Sequence, residues 1–176
     1  GDPLLLAGKR LVTFWNKKEV CVSTPTNKET SRIAVEFEHS TQEEWNVPCP
    51  ACGAFTPLLW ANIVFDRDKL DEIGCTCPAC GVVSSETEWK EQYINGKFVA
   101  AHPERKVRGF HLNALASLFV DWREIVEKFL TANEEKKKGN IELLKVWTNT
   151  EMGETWEEDG EQIETDDLYK RREKYN

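Results

Sequence analysis

No run of about 18 apolar residues occurs in this chain, so the sequence offers no candidate for a transmembrane helix. The first ten residues, GDPLLLAGKR, have no basic region ahead of their short apolar patch and no small-residue cleavage site, so they do not read as a signal peptide. Their start without Met points to a piece of something longer. Positive charge is also in short supply. Lys and Arg number 23 against 31 Asp and Glu, for a net charge of −8, and residues 149–176 alone account for −6 of it. A uniformly basic nucleic-acid footprint is therefore absent, which argues against a chain that grips DNA alone through phosphates. There is no GxxxxGK[ST] phosphate loop and no nucleophile motif. The histidines, at 39, 102 and 111, have no partner at helical or metal-knuckle spacing, and each reads as a surface or core residue. The sequence predicts no self-sufficient active site.

What is present is a repeat. The pentapeptide CPACG occurs at residues 49–53 and again at 77–81. Five of the six cysteines (21, 49, 52, 75, 77 and 80) fall within 32 residues, unlike a disulfide framework spread through a short secreted chain. A Cys-x-x-Cys turn aims two sulfurs at one ion, and the Gly that follows lets the backbone curl back without a Cβ clash. Two such turns, Cys49/Cys52 and Cys77/Cys80, complete a tetrahedral four-thiolate site. Zinc is the expected ion, and a closed site of this kind is structural because no coordination position remains for water. Metal binding would supply stability that so small a segment cannot obtain from core burial. The stretch LLWANIVFD and the segment around Ile73 are expected to form the strands of a zinc ribbon. Cys75 is expected to be a nearby thiol outside the ligand set, and Cys21 a small core residue.

With 176 residues, 40% hydrophobic and 31% charged, the chain is long enough for one core plus a small stapled unit. Val20, Cys21 and Val22 read as a short buried strand ending at Ser23, with Pro25 stopping the pairing. The alternation of Ile33, Val35 and Phe37 in RIAVEFEHS reads as a half-exposed strand. Ser85 and Glu88 fit a capping box opening a helix that ends near Asn95-Gly96, and KVRGFHLNAL reads as strand-like. Asp121 is expected to cap a long helix, with Glu124 three residues on. Its stripe is Trp122, Ile125, Val126, Phe129 and Leu130, and it ends at Lys136–Lys138 before Gly139. A second helix from Asn140 carries Leu143, Leu144 and Trp147 and stops near Gly153. The acidic stretch after Trp156 reads as a linker plus a short helix, and its Asp166-Asp167 pair as charged surface rather than a metal nuclease. From spacing alone, STPT at Ser23, Thr24, Pro25 and Thr26 is an ordinary strand-ending turn or a functional loop.

Taken in order, GDPLLLAGKR, STPT, the two CPACG knuckles, HLNAL, EIVEKFL and the ending NTEMGETW resemble the large terminase subunit of tailed phages, of the lambda-type GpA family. The resemblance covers nearly the whole chain. It implies an ATP-driven motor that packages double-stranded viral DNA, joined to a nuclease that cuts it. It also implies that this chain is an internal slice. The Walker A lysine and Walker B acidic pair would precede it and the nuclease carboxylates would follow, so ATP and Mg²⁺ would bind only in the full-length parent. Ser23, Thr24, Pro25 and Thr26 match the family's coupling motif, whose hydroxyls at a sheet's carboxyl edge sense the γ-phosphate. The implied fold is α/β, or α+β as a fragment: part of a P-loop ATPase sheet edge with an inserted zinc ribbon and a helical connector. The expected division is 1–47 (end of the ATPase domain), 48–84 (zinc-ribbon insertion), 85–153 (helix–strand–helix remainder) and 154–176 (acidic linker toward the nuclease). Implied partners are double-stranded DNA, the small terminase subunit, the portal, and the missing ATPase and nuclease segments, in the bacterial host cytoplasm without membrane contact. The competing reading is an independent zinc-ribbon module that binds nucleic acid or protein.

Overall fold

The computed structural model describes residues 3–157. Helices α1 (Pro3–Arg10) and α2 (Arg32–Glu38) come first, then strands β1 (Glu43–Pro48), β2 (Phe55–Pro57), β3 (Ile63–Asp66), β4 (Lys69–Thr76) and β5 (Val83–Ser85). Helix α3 (Glu86–Glu91), strands β6 (Lys97–Ala100) and β7 (Phe110–His111), and helices α4 (Trp122–Lys137) and α5 (Glu142–Thr150) complete the order. Mixed helices and mainly antiparallel sheets make the architecture α+β.

Strand β1 is the centre of the first sheet. It pairs antiparallel with β6 through residues 43–46. Residues 46–48 pair antiparallel with β2, and Glu43 and Glu44 pair parallel with β7. The second sheet is a β3-β4-β5 meander whose first turn, at Arg67-Asp68, is closed by the Asp66 carboxylate accepting from the Asp68 amide at 3.0 Å. Each sheet thus contributes one hairpin tip, β1–β2 and β4–β5, and both tips are CPACG.

The core joins the meander to the helices. Trp89, Leu115, Trp122, Ile125 and Val126 are fully buried. On α4 the expected stripe positions Trp122, Ile125 and Val126 are buried and Phe129 and Leu130 half-buried, and Ala132, outside the expected stripe, is buried as well. The indole of Trp122 and the hydroxyl of Tyr93 both donate to the Leu115 carbonyl, so burying these polar tips leaves neither unsatisfied. Trp60 packs at 4.7 Å from both Phe129 and Trp147 and at 5.9 Å from Phe65, ring centre to ring centre, and so pins the β3–β4 hairpin to the α4–α5 pair. The capping box forms as expected, with Glu88 accepting from the Ser85 amide at 2.8 Å. Asp121 occupies the N-cap position of α4 without a side-chain hydrogen bond. The Trp122 amide is instead satisfied by the carboxylate of Glu86, 2.9 Å away on α3. Gly139 follows α4 at φ +90°, a conformation that favours glycine.

Two expected strands are absent. Residues 20–22 form no strand: Val20 and Val22 are 84% and 90% exposed and Cys21 is exposed, because no neighbouring strand among the described residues offers them a ladder. RIAVEFE is helix α2, not a strand. Ile33 and Phe37 lie four residues apart on its half-buried face while Val35 is exposed, and Arg32 pairs with Glu36 at 2.9 Å along the same helix. Leu143 points to solvent, whereas Leu144 and Trp147 are buried. The expected linker and short helix beyond residue 157, with Asp166-Asp167, lie outside the described residues.

His111, expected to be bland, is a junction. Its Nδ1 faces the Glu44 carboxylate at 2.8 and 3.0 Å and its Nε2 faces the Met152 carbonyl at 2.9 Å. Both partners are acceptors, and only the imidazolium can donate to both at once, so this arrangement favours the protonated ring. Glu44 is the main cause of the raised pKa, which burial opposes and the Met152 carbonyl and Glu154 support. A pKa raised on folding stabilises fully below the unfolded value of about 6.5 and is lost as pH rises through the folded value. Stability should therefore decline as pH rises through that window, and His111→Gln should flatten the slope in a pH series of melting curves.

Candidate metal centre

The two knuckles are built alike. In the first, the Cys49 amide donates to the Ala54 carbonyl at 2.9 Å and the Gly53 amide returns to the Cys49 carbonyl at 2.8 Å. In the second, Cys77 donates to Val82 at 2.9 Å and Gly81 to Cys77 at 2.8 Å. Gly53 and Gly81 adopt φ values of +74° and +75°, the left-handed region where a side chain would be strained. Proline at 50 and 78 lacks the N–H that such a turn would leave unused.

This local geometry turns the thiols of Cys49, Cys52, Cys77 and Cys80 toward one point. All four Sγ atoms lie within 4.8 Å of one another. The distances Cys49–Cys80 and Cys52–Cys77 are both 3.9 Å, so the knuckles face each other about an approximate two-fold axis. A tetrahedron with zinc–sulfur bonds of about 2.3 Å has edges of about 3.8 Å. Disulfide sulfurs stand near 2.05 Å, and every cysteine here is free. The donor set therefore fits a four-coordinate thiophilic cation and not a pair of crosslinks. Cys49 and Cys77 are buried; Cys52 and Cys80 are exposed.

The thiols differ in acidity. Burial opposes ionisation of Cys77, but the amides of Ala79 and Cys80 and the thiols of Cys49 and Cys80 outweigh it and bring its pKa down to about 7. Cys80 is helped by the Val82 amide, yet burial and the neighbouring thiols carry it up to about 11. Burial is the main cause of the rise at Cys49, although the Cys52 and Ala51 amides favour its thiolate, the latter with its N 3.4 Å from Sγ. Cys77 is thus the most readily ionised of these three thiols, and a cation bound at the cluster would favour the thiolate form of its neighbours. These amide donors follow from the knuckle turn itself and were implicit in the CPACG spacing.

Cys75 lies outside the cluster. It is buried on β4, its nearest hydrogen-bond partner is the Thr76 carbonyl at 3.8 Å, and burial pushes its thiol up to about 12. Its carbonyl accepts the indole N–H of Trp89 at 3.2 Å, a support for the second knuckle with no local sequence signal. Ser23 and Thr24 are exposed, Pro25 is buried, and the Ser23 hydroxyl donates to the Thr24 carbonyl at 2.8 Å. The structure does not bring the STPT residues to the cysteine cluster; the one group has sheet hairpins behind it, the other an extended segment.

Comparison with known proteins agrees with the order of motifs. The family model described as phage terminase large subunit gpA, ATPase domain, matches residues 1–98. The model described as terminase large subunit gpA, endonuclease domain, matches residues 107–176. A curated relative, the terminase large subunit of Enterobacteria phage P21, is 26% identical over 183 aligned positions, covering 90% of this chain and 28% of the relative. The chain thus spans little more than a quarter of that protein's length. No solved structure matches. With the ATPase-domain model covering more than half of its residues, the chain belongs to the phage terminase large subunit gpA family.

Proposed function

We propose that this chain is the middle portion of an ATP-driven motor that packages and cuts double-stranded viral DNA, and that Cys49, Cys52, Cys77 and Cys80 hold a structural zinc ion in it. The observation that supports the motor reading is the succession of an ATPase-domain match and an endonuclease-domain match along one chain. The zinc reading rests on four free sulfurs within 4.8 Å of one another, with the Cys49–Cys80 and Cys52–Cys77 pairs at 3.9 Å, close to the edge of a zinc–thiolate tetrahedron. In the motor, Ser23, Thr24, Pro25 and Thr26 act as the coupling motif, with ATP and Mg²⁺ bound by the phosphate cradle and acidic ligands of the whole subunit. The exposed apolar residues Val20 and Val22 accord with a segment that becomes a strand only beside the rest of an ATPase sheet. Residues 1–47 then close the ATPase domain, 48–84 form the metal insertion, 85–153 are the helix–strand–helix remainder packing on the ATPase core, and 154–176 are the acidic linker toward the nuclease. Double-stranded DNA, the small terminase subunit and the portal are the partners of that assembly, in the host cytoplasm. No helix among the described residues is long and apolar enough to cross a membrane.

The purified 176-residue chain should release no phosphate from ATP, and its DNA affinity should be weak at physiological salt. Tight binding with a steep salt dependence would instead favour a free-standing zinc-ribbon binder. Replacing Cys75 by Ser should leave the metal content unchanged, because its sulfur lies outside the four-thiol group; zinc loss in that variant, measured by elemental analysis, would reassign the ligands.

A further inference from the structure

The STPT segment is tied to the far end of the chain by a small backbone clasp. The Thr26 carbonyl accepts two donors, the Asn149 side-chain amide at 3.1 Å and the Trp156 backbone amide at 3.0 Å. The Lys28 amide answers by donating to the Trp156 carbonyl at 2.9 Å, which makes a one-residue parallel bridge between Asn27 and Trp156. Asn149 is buried in the last turn of α5, and its second N–H donates to the Glu154 carbonyl at 2.8 Å. Both amide protons are thus spent on backbone carbonyls, a pattern that neither Asp nor Ala can reproduce.

The two sides of the clasp belong to different parts of the family match. Thr26 falls in the stretch matched by the ATPase-domain model, and Asn149 and Trp156 fall in that matched by the endonuclease-domain model. On the ATPase side, Pro25 is buried and its ring fixes its own φ, which limits the backbone freedom between Thr26 and the exposed Ser23 and Thr24. On the other side, the loop that closes the clasp is itself anchored. Its Met152 carbonyl faces His111, its Glu151 carbonyl accepts the Ala114 amide at 2.7 Å, and Gly153 takes φ +65° with His111 against it.

We infer that Asn149 is a positioning residue for the coupling motif: it locks Thr26 to residues 149–156, so that a nucleotide-dependent shift of Ser23–Thr26 is carried into the endonuclease-matched part of the chain. This rests on the reading of STPT as the coupling motif. The test is amide hydrogen exchange in the intact terminase subunit, wild type and Asn149→Asp, with and without a non-hydrolysable ATP analogue. In the wild type the analogue should change exchange at residues 23–28 and at 149–156 together. In Asn149→Asp the change should stay within 23–28, while the Lys28 and Trp156 amides exchange about tenfold faster without a comparable acceleration in α4. An analogue effect confined to 23–28 in the wild type would overturn the inference while sparing the coupling-motif reading. An effect at neither place would overturn the coupling-motif reading itself. The wild-type comparison decides on its own if the variant does not fold, and acceleration in α4 equal to that at Lys28 would reduce Asn149 to a general stabilising residue.

Discussion

Serine in place of Cys49 or Cys80 should lower bound zinc from about one ion per chain to none and unfold the two knuckles, with elemental analysis and hydrogen exchange at Gly53 and Gly81 as readouts. The expected size follows from the geometry. Structural zinc sites bind with about 10–16 kcal/mol at neutral pH, as much as the whole stability of an ordinary domain at about 5–15 kcal/mol. Each hairpin tip has few apolar contacts of its own, since Ala51, Cys52, Gly53, Pro78, Ala79, Cys80 and Gly81 are all exposed. A serine hydroxyl neither ionises at neutral pH nor matches the softness of a thiolate, so three sulfurs are left around a poorly held ion. Reduced, folded wild-type protein without metal would defeat this expectation and the proposed role of the cluster.

The second large effect is expected at Trp89. This residue is fully buried, and its indole N–H is bonded to the Cys75 carbonyl on β4 at 3.2 Å. Trp89→Ala should cost about 3–5 kcal/mol from the cavity and lost contacts. Trp89→Phe should cost less, about 1–3 kcal/mol, mostly from leaving the Cys75 carbonyl unpaired. Denaturant midpoints compared at unchanged slope would separate the two variants. Equal losses would mean that the hydrogen bond contributes nothing beyond packing. Because Trp89 joins α3 to the strand entering the second knuckle, metal affinity should weaken in Trp89→Ala as well.

The parts of this molecule that could be read from its sequence are those fixed by neighbours a few residues away. The knuckles are legible because two thiols, a proline and a left-handed glycine sit within five positions, and the turn needs nothing distant. Helix α4 is legible for a similar reason: a stripe at 122, 125, 126 and 129 and a glycine just past its end define it locally. RIAVEFE shows where such reading stops. Ile33, Val35 and Phe37 alternate as in a strand, yet Ile33 and Phe37 also satisfy a four-residue helical spacing. With no strand edge beside it, the segment completes its hydrogen bonds internally, His39 to Val35 among them. Val20–Val22 fails for the complementary reason, since a strand is a property of a pair. His111 and Asn149 could not be found at all: their partners lie 67, 41 and 123 residues away, and nothing in a local window marks them.

The alternation of buried and exposed sulfurs in the cluster has a chemical corollary. The two outward thiols, Cys52 and Cys80, come from different hairpins. An alkylating or oxidising reagent arriving from water therefore meets one sulfur of each tip before it reaches either inner one. Each arm of the clamp has one sulfur open to attack, so chemical damage at either would loosen the tie that holds the pair of hairpins together.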